Sequence, residues 1–119
     1  METMVLVDAR NVLRSRWTNL DPDWFLERTR AWAEREGVRA LLVFDGRAPA
    51  WEDDERLTAA GTGAGSADDL IADEAARLAG EGRPVWLVSS DRGLRARLPP
   101  DVERTIGGGT FAGMLERLD

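Results

Sequence analysis

The chain of 119 residues contains no cysteine, no histidine, no tyrosine and no lysine. Without cysteine it cannot form a disulfide or a zinc-thiolate site, which fits a reducing cytoplasm. Without histidine, a general base has to be a carboxylate or a water molecule activated by a metal ion. All 16 basic residues are arginine, so chemistry that depends on lysine is excluded as well.

Long apolar runs are also missing. No stretch approaches the roughly 20 apolar residues of a membrane helix, and the N-terminus lacks the pattern of a signal peptide. We therefore expect a cytoplasmic protein without a membrane partner. The length and the 43% apolar content predict one folded domain over residues 1–119. The net charge of −6 argues against a protein that grips nucleic acid by bulk positive potential, although a bound cation would invert the field of an acidic cleft.

Three continuous apolar runs predict strands buried on both faces, at residues 4–7, 40–44 and 85–88. A weaker pattern predicts an edge strand at 102–106. Apolar residues at helical spacing predict helices over 22–36, 66–79 and 92–98, and a final helix that carries Phe111, Met114 and Leu118. Residues 46–65 are polar and glycine-rich and predict a long loop. This alternation predicts an α/β fold with a mostly parallel four-stranded sheet in the order 2-1-3-4.

Aspartates stand where predicted strands end or where a predicted helix begins. Asp8, Asp45 and Asp91 follow strands, and Asp68 and Asp69 open a helix. Because parallel strands end at one edge of a sheet, these carboxylates are expected to gather there and to repel one another. Oxygen ligands without cysteine or histidine suit Mg²⁺ or Mn²⁺. The spacing therefore predicts a metal-dependent phosphate chemistry.

Each aspartate also has a purely structural interpretation. Asp8 and Asp45 suit turns, and Asp91 suits the N-cap of the following helix. Residues 66–69 match a capping box in which Asp69 reaches back to the Ser66 backbone, a role that explains Asp68 less well. The functional interpretation depends on their joint placement at one sheet edge.

Other features are open to two interpretations. Glycines at 61–65 lack the context of a phosphate-binding loop and predict a flexible lid, while those at 107–109 predict a turn from strand to helix. Trp51 either stacks on a base or packs its loop onto the core. Several arginines flank the expected cleft and either meet phosphates or form solvated helix faces: Arg10, Arg14, Arg92, Arg95 and Arg97.

Four short segments occur in a familiar order: LVDARNV at residues 6–12, VFDG at 43–46, ADDLI at 67–71 and SSDR at 89–92. Together they resemble the NYN domain, and in particular its YacP-like branch among the PIN-like nucleases. The resemblance spans nearly the whole chain. NYN domains usually open with Asp-Gly-Tyr-Asn; Asp8 and Asn11 match the ends of that motif, while Ala9 and Arg10 replace its middle.

The resemblance implies a Rossmann-like (PIN-like) α/β/α sandwich and an endoribonuclease that uses Mg²⁺ or Mn²⁺. Asp45, Asp91 and the Asp68–Asp69 pair match acids of the family. We expect one or two ions to be held by Asp8, Asp68, Asp69 and Asp91. Asn11 completes the catalytic set, and the residues expected to contact substrate are Arg10, Asp45, Trp51 and Arg92.

The expected function is hydrolysis of RNA phosphodiester bonds. The alternative is a non-catalytic NYN/PIN-like module that binds RNA or a protein partner, which the altered Ala9-Arg10 pair and the acidic composition slightly favour. A receiver domain needs a lysine, and a HAD-type phosphatase needs Asp-x-Asp after its first strand, so both are excluded. A homodimer formed through an exposed Trp24 or the final helix stays open.

Overall fold

Strands and helices alternate along most of the chain. The computed structural model describes residues 1–118. Its elements are β1 (Met4–Asp8), α1 (Ala9–Leu13), α2 (Pro22–Glu36), β2 (Arg39–Phe44), β3 (Leu57–Gly61), α3 (Ala67–Gly80), β4 (Val85–Val88), α4 (Arg92–Arg97), β5 (Arg104–Ile106) and α5 (Gly108–Glu116). Within residues 1–118, no helix has the length and apolar character needed to cross a bilayer.

The five strands form one parallel sheet in the order β3-β2-β1-β4-β5. Successive side chains of the central strand β1 enter opposite layers, as the pleat of a strand requires. Val5 and Val7 join a cluster with α2 and α5, and Leu6 joins a second cluster with α3 and α4. A sheet with buried residues on both faces is the α/β/α arrangement, so the predicted fold class is confirmed.

The predicted count of four strands is wrong, although their predicted order is kept as β2-β1-β4-β5. The fifth strand, β3, lies within the segment expected to be a loop. Only Leu57 of its five residues is buried, so the segment carries no apolar alternation that a sequence could reveal. On the outer edge of β3 the Asp53 carboxylate accepts from the Ala59 N–H at 3.1 Å, which covers part of the unpaired edge.

Two helix ends follow the signals in the sequence, while the expected contact of Asp69 and the expected exposure of Trp24 are both wrong. α2 ends where Gly37 adopts a left-handed φ of 69°, as expected for a glycine after a helix. The Ser66 Oγ accepts from the Asp69 N–H at 3.1 Å and caps α3, but the Asp69 carboxylate pairs with Arg97 instead of reaching back. Trp24 is not the exposed residue expected, since its partly buried ring packs against the core.

Gly61, the last residue of β3, lies against the turn that follows β2. A Cβ there would lie 2.6 Å from the Gly46 carbonyl oxygen and 2.8 Å from the Ala48 nitrogen, so the backbone would have to move. We expect Gly61→Ala to lower the free energy of unfolding by about 1–3 kcal/mol, measured by urea titration. Gly80→Ala is the control, because a Cβ there meets nothing within 4 Å and should leave stability unchanged or slightly higher. Equal midpoints for the two variants would contradict this packing.

Candidate active site

An open cleft of about 580 Å³ lies at the carboxyl edge of the sheet. Four aspartates from four parts of the chain line it. Asp8 ends β1, Asp45 follows β2, Asp68 lies in the first turn of α3, and Asp91 precedes α4. The remaining lining residues are all polar: Arg10, Asn11, Arg14, Ser15, Ser66 and Ser90. The cleft therefore gathers four acidic side chains and only two basic ones.

Asp8 is the buried acid of the cleft, with only 6% of its surface exposed. Its Oδ2 accepts a hydrogen bond of 3.0 Å from the Ser89 hydroxyl, and the backbone N–H of Asn11 also lowers its pKa. Burial raises the pKa of Asp8; the Ser89 hydrogen bond opposes that rise, and the negative charges of Asp68 and Asp45 add to it. The burial of the Asp8 carboxylate therefore lowers the stability of the folded protein when this group is ionised.

Asp68 experiences the same repulsion from the other side of the cleft. Burial raises its pKa, and the charges of Asp91 and Asp45 raise it further, while the charge of Arg97 opposes the rise. Burial is the main cause of the raised pKa at both acids, and the repulsion among the cleft aspartates adds to it. Such a site favours a cation.

Asp45 links the cleft to the start of α3. Its Oδ1 accepts from the Ala67 backbone N–H at 3.0 Å, which fixes the turn that carries Asp68. Its Oδ2 lies 3.8 Å from Arg10 Nη1. The Arg10 side chain is 53% exposed, so this ion pair is weak and leaves the guanidinium free to exchange partners.

Asp91 has the structural role that its position predicts and still lines the cleft. Its Oδ1 accepts from the Leu94 N–H at 3.1 Å and caps α4. A carboxylate has a second oxygen, so an N-cap contact does not use up its capacity for a ligand. The Asp91 N–H donates to Ser89 Oγ at 3.1 Å, and the same hydroxyl donates to Asp8.

Asn11 serves as a brace between three segments. Its Oδ1 accepts from the Ser90 N–H at 2.9 Å, and Ser90 Oγ accepts from the Gly108 N–H at 2.8 Å. The amide of Asn11 therefore holds α1, the loop after β4 and the start of α5 together. Sequence reasoning missed the contributions of Ser89 and Ser90, although both stand directly between a buried strand and Asp91.

Four helical residues that the sequence placed at or beside the expected cleft do not line it: Asp69, Arg92, Arg95 and Arg97. Asp69 accepts from Arg97 Nη2 at 2.8 Å in a neighbouring groove on the outer side of α3. Arg95 Nε donates to the Ser89 carbonyl at 2.8 Å and so supports the loop after β4. Arg92 is exposed at the start of α4 and does not line the cleft.

Trp51 also lies apart from the cleft. Its ring packs against the core layer that contains α2, and its indole N–H is buried with no partner among residues 1–118. This placement matches the packing interpretation. Arg14 does line the cleft, as expected for a residue that meets phosphate.

The donor set fits Mg²⁺ or Mn²⁺ in its chemistry, since every acidic or neutral lining side chain offers oxygen. Among residues 1–118, however, no three carboxylates lie close enough together to hold one ion. Mg²⁺ is commonly held by one or two carboxylates together with water and phosphate oxygens, so the cleft fits an ion of this kind without a third carboxylate.

Several solved structures share this fold. A point mutant of Rae1 (YacP) from Bacillus subtilis aligns with a TM-score of 0.76 at 17% identity, over 98% of this chain and 76% of that chain. The T5 D15 protein co-crystallised with metal ions aligns with a TM-score of 0.62 at 14% identity, over 87% and 54% of the two chains. A point mutant of T5 5′-exonuclease gives 0.61 at 16% identity, over 88% and 50%. Neither a protein-family model nor a curated protein matches the sequence.

This chain has the PIN-like fold. The resemblance to the YacP-like branch is thereby confirmed in its fold. At these identities the likeness establishes architecture alone, so the activity has to be argued from the cleft. The chain matches about three quarters of the YacP chain and about half of each T5 chain.

Gly108 permits the close approach of α5 to Asn11. A Cβ at Gly108 would lie 2.1 Å from Asn11 Oδ1 and 3.0 Å from the Asn11 carbonyl oxygen. We expect Gly108→Ala to displace the Asn11 amide and lower the free energy of unfolding by about 1–3 kcal/mol in urea. Gly109→Ala, whose Cβ would meet Arg16 Nη1 at an ordinary 3.7 Å, serves as the control. Comparable losses in both variants would argue against this contact.

Removal of one cleft charge should stabilise the metal-free protein. Because the pKa of Asp68 is raised, the folded state binds its proton more tightly than the unfolded chain, and stability falls as the pH rises through the window between the two pKa values. At pH 7 this cost is fully present. We expect Asp68→Asn in EDTA to raise Tm at pH 7 by on the order of 2–4 °C and by less at pH 4. A lower Tm at pH 7 would contradict the repulsion.

Proposed function

We propose that this protein is a metal-dependent endoribonuclease that hydrolyses RNA phosphodiester bonds in the aspartate cleft. The observation that carries the proposal is the convergence of Asp8, Asp45, Asp68 and Asp91 on one cleft, with Asp8 buried and the pKa values of Asp8 and Asp68 raised. The PIN-like nuclease fold supports it, as does the motif resemblance to the YacP-like branch. One of the structural neighbours is a 5′-exonuclease, which favours a nucleic acid as the substrate class.

The cleft aspartates are the residues that would hold Mg²⁺ or Mn²⁺. Asp69 lies in the adjoining groove and pairs with Arg97, so its part in the proposed ligand set is the smallest. When bound, the ion stabilises negative charge on the phosphoryl group and lowers the pKa of a water molecule. Asp45 and Asn11 act mainly by position, because Asp45 fixes the turn of Asp68 and Asn11 fixes the loop of Asp91.

The cleft arginines suit the rest of the substrate. Arg10 and Arg14 line the cleft, and a guanidinium donates two parallel hydrogen bonds to a phosphate. Because the chain has no histidine, the proton of the attacking water would go either to a carboxylate oxygen of the cleft or, where a bound ion lowers the pKa of that water, to solvent. The cleft is open to the surface, so a strand needs no free end to enter it. This openness supports cleavage within a strand.

A non-catalytic RNA- or protein-binding module is the second candidate. One observation favours it: among the described residues no three carboxylates are placed to share an ion. The weak Arg10–Asp45 pair also supplies part of the countercharge that an ion would otherwise provide. A binding module would keep its RNA affinity when the cleft acids are replaced.

Cleavage of a circular single-stranded RNA tests the proposal, because only an endonuclease can open a circle. We expect Mn²⁺ to support linearisation and excess EDTA to abolish it. Asp8→Asn and Asp91→Asn should each lower the rate by about 100-fold or more, since even outer partners of metal ligands cost about 10- to 100-fold. Titration calorimetry should register Mn²⁺ binding to the unaltered protein and loss of that heat in Asp8→Asn.

Asp73→Asn is the matched control, because Asp73 lies on the same helix as Asp68 but outside the cleft lining. Its rate and metal binding should equal those of the unaltered protein. Cleavage that persists in EDTA, or in Asp8→Asn, would refute the metal mechanism. RNA binding without cleavage and without metal uptake would favour the second candidate.

A further inference from the structure

Trp17 is exposed to an unusual degree. Its side chain is 98% exposed, and among residues 1–118 Met1 is the other large hydrophobic side chain left at the surface. Burial of a tryptophan is among the largest single stabilising contributions in a fold, and this ring makes none. One exposed apolar side chain needs no explanation by itself, so its surroundings decide whether it has a role.

The loop that carries Trp17 is fastened on both sides. The Leu20 N–H donates to the Leu13 carbonyl at 2.9 Å and closes the base of the loop. Arg16 Nη2 donates to the Gly109 carbonyl at 3.2 Å and to Glu116 Oε1 at 3.0 Å, which ties the loop to α5. The ring is therefore held out into solvent by an anchored segment.

The same loop borders a groove that opens onto the aspartate cleft. This side groove has a volume of about 260 Å³ and is lined by Arg10, Leu13, Arg14, Asn19, Phe44 and Asp45. It shares Arg10, Arg14 and Asp45 with the cleft. Its volume is below the roughly 300–1,000 Å³ of pockets for drug-sized ligands, which suits a group of the size of a single nucleotide base. The amide of Asn19 offers both a donor and an acceptor there.

The segment of chain that carries Trp17 is basic, although two of its arginines already face acids. Residues 9–20 contain Arg10, Arg14 and Arg16 and no acidic residue, although the chain has a net charge of −6. Arg16 pairs with Glu116 and Arg10 lies 3.8 Å from Asp45, so within residues 1–118 Arg14 is the arginine of this segment that forms no ion pair. The segment thus carries an exposed aromatic ring, and its Arg14 and Asn19 line a groove that is continuous with the proposed nuclease cleft. Exposed aromatic rings and basic groups are the means by which proteins bind single-stranded nucleic acid.

We propose that Trp17 and the side groove form a subsite for unpaired bases of the RNA strand beside the cleavage position, an inference that rests on the proposed nuclease function. One base stacks on the Trp17 ring, the strand continues through the side groove, and Arg10 and Arg14 hold its phosphates. Because a paired base has both faces covered by its neighbours, this subsite selects single-stranded RNA over a blunt duplex.

Fluorescence anisotropy with a labelled 12-nucleotide single-stranded RNA and the blunt duplex of the same sequence measures this selection. Binding is recorded in Ca²⁺, under conditions in which a gel shows the RNA to be intact. Trp17→Ala should weaken binding of the single strand by roughly 5- to 100-fold, the range for loss of one stacked base. Trp17→Phe should retain most of the affinity, and the duplex should bind all three proteins alike.

Arg14→Ala and Arg35→Ala form a matched pair. Arg35 lies in the last turn of α2, just before β2 begins, and therefore at the opposite edge of the sheet from the cleft. Arg14→Ala should weaken RNA binding, whereas Arg35→Ala should not. Tryptophan emission adds a direct readout, since single-stranded RNA should quench the unaltered protein more than Trp17→Phe.

The outcomes separate this inference from the proposed function. If the unaltered protein opens circular RNA but Trp17→Ala binds and cleaves as well as it does, the subsite is refuted and the nuclease proposal stands. If Trp17→Ala instead converts a dimer into a monomer in sedimentation without changing RNA affinity, Trp17 belongs to a contact between copies of the chain and the subsite is again refuted. If the unaltered protein neither binds nor cleaves RNA, both proposals fail.

Discussion

The hydrogen bond from Ser89 to Asp8 is the contact on which the rest of the cleft depends. In the register of the central strands Val7 lies beside Val88, so the next residues along, Asp8 and Ser89, meet at the edge of the sheet. The buried carboxylate accepts from the hydroxyl, and that hydroxyl accepts in turn from the Asp91 N–H. Strand pairing in the core thereby sets the position of two cleft acids that are far apart in the chain.

The acids of the cleft lower the stability of the folded protein and at the same time favour the binding of a cation. Two apolar layers cover the sheet and stabilise the fold, while its carboxyl edge collects four acids whose charges repel one another. The raised pKa of Asp8 reflects a desolvated charge that the Ser89 hydrogen bond only partly compensates. A site that binds a cation gains affinity from the same unfavourable field that destabilises the empty fold. Arg10, at the position where the NYN motif has tyrosine, supplies a partial and exposed substitute for that cation.

The sequence was sufficient to predict which aspartates lie at the carboxyl edge of the sheet, but not the direction in which each side chain points. Buried strands end at Asp8 and just before Asp45 and Asp91, and parallel topology brings such residues together without further information. Asp68 and Asp69 are neighbours on a helix and differ in direction by about 100°, so one lines the cleft while the other meets Arg97. The capping pattern does not distinguish Asp68 from Asp69, because it does not depend on how α3 is rotated against the sheet. Strand β3 escaped prediction because its pairing with β2, and not its own pattern, makes it a strand.

Trp17 and Trp51 show that the burial of a tryptophan in a polar segment could not be predicted from the sequence either. Both lie in polar segments, and a hydropathy pattern gives no reason to bury one and expose the other. Trp51 finds a surface of α2 and the sheet to pack on, whereas the anchors of residues 14–20 hold Trp17 away from any such surface. Local charge then decides what each ring can meet. Trp51 adjoins Glu52, Asp53 and the Asp54–Arg30 pair, a mostly acidic group that repels a polyanion. Trp17 belongs to a segment, residues 9–20, that contains three arginines and no acidic residue. Under the proposed subsite, an acidic protein receives a nucleic acid strand through its local charge, since at the Debye length of about 8 Å in physiological salt charges farther away are largely screened.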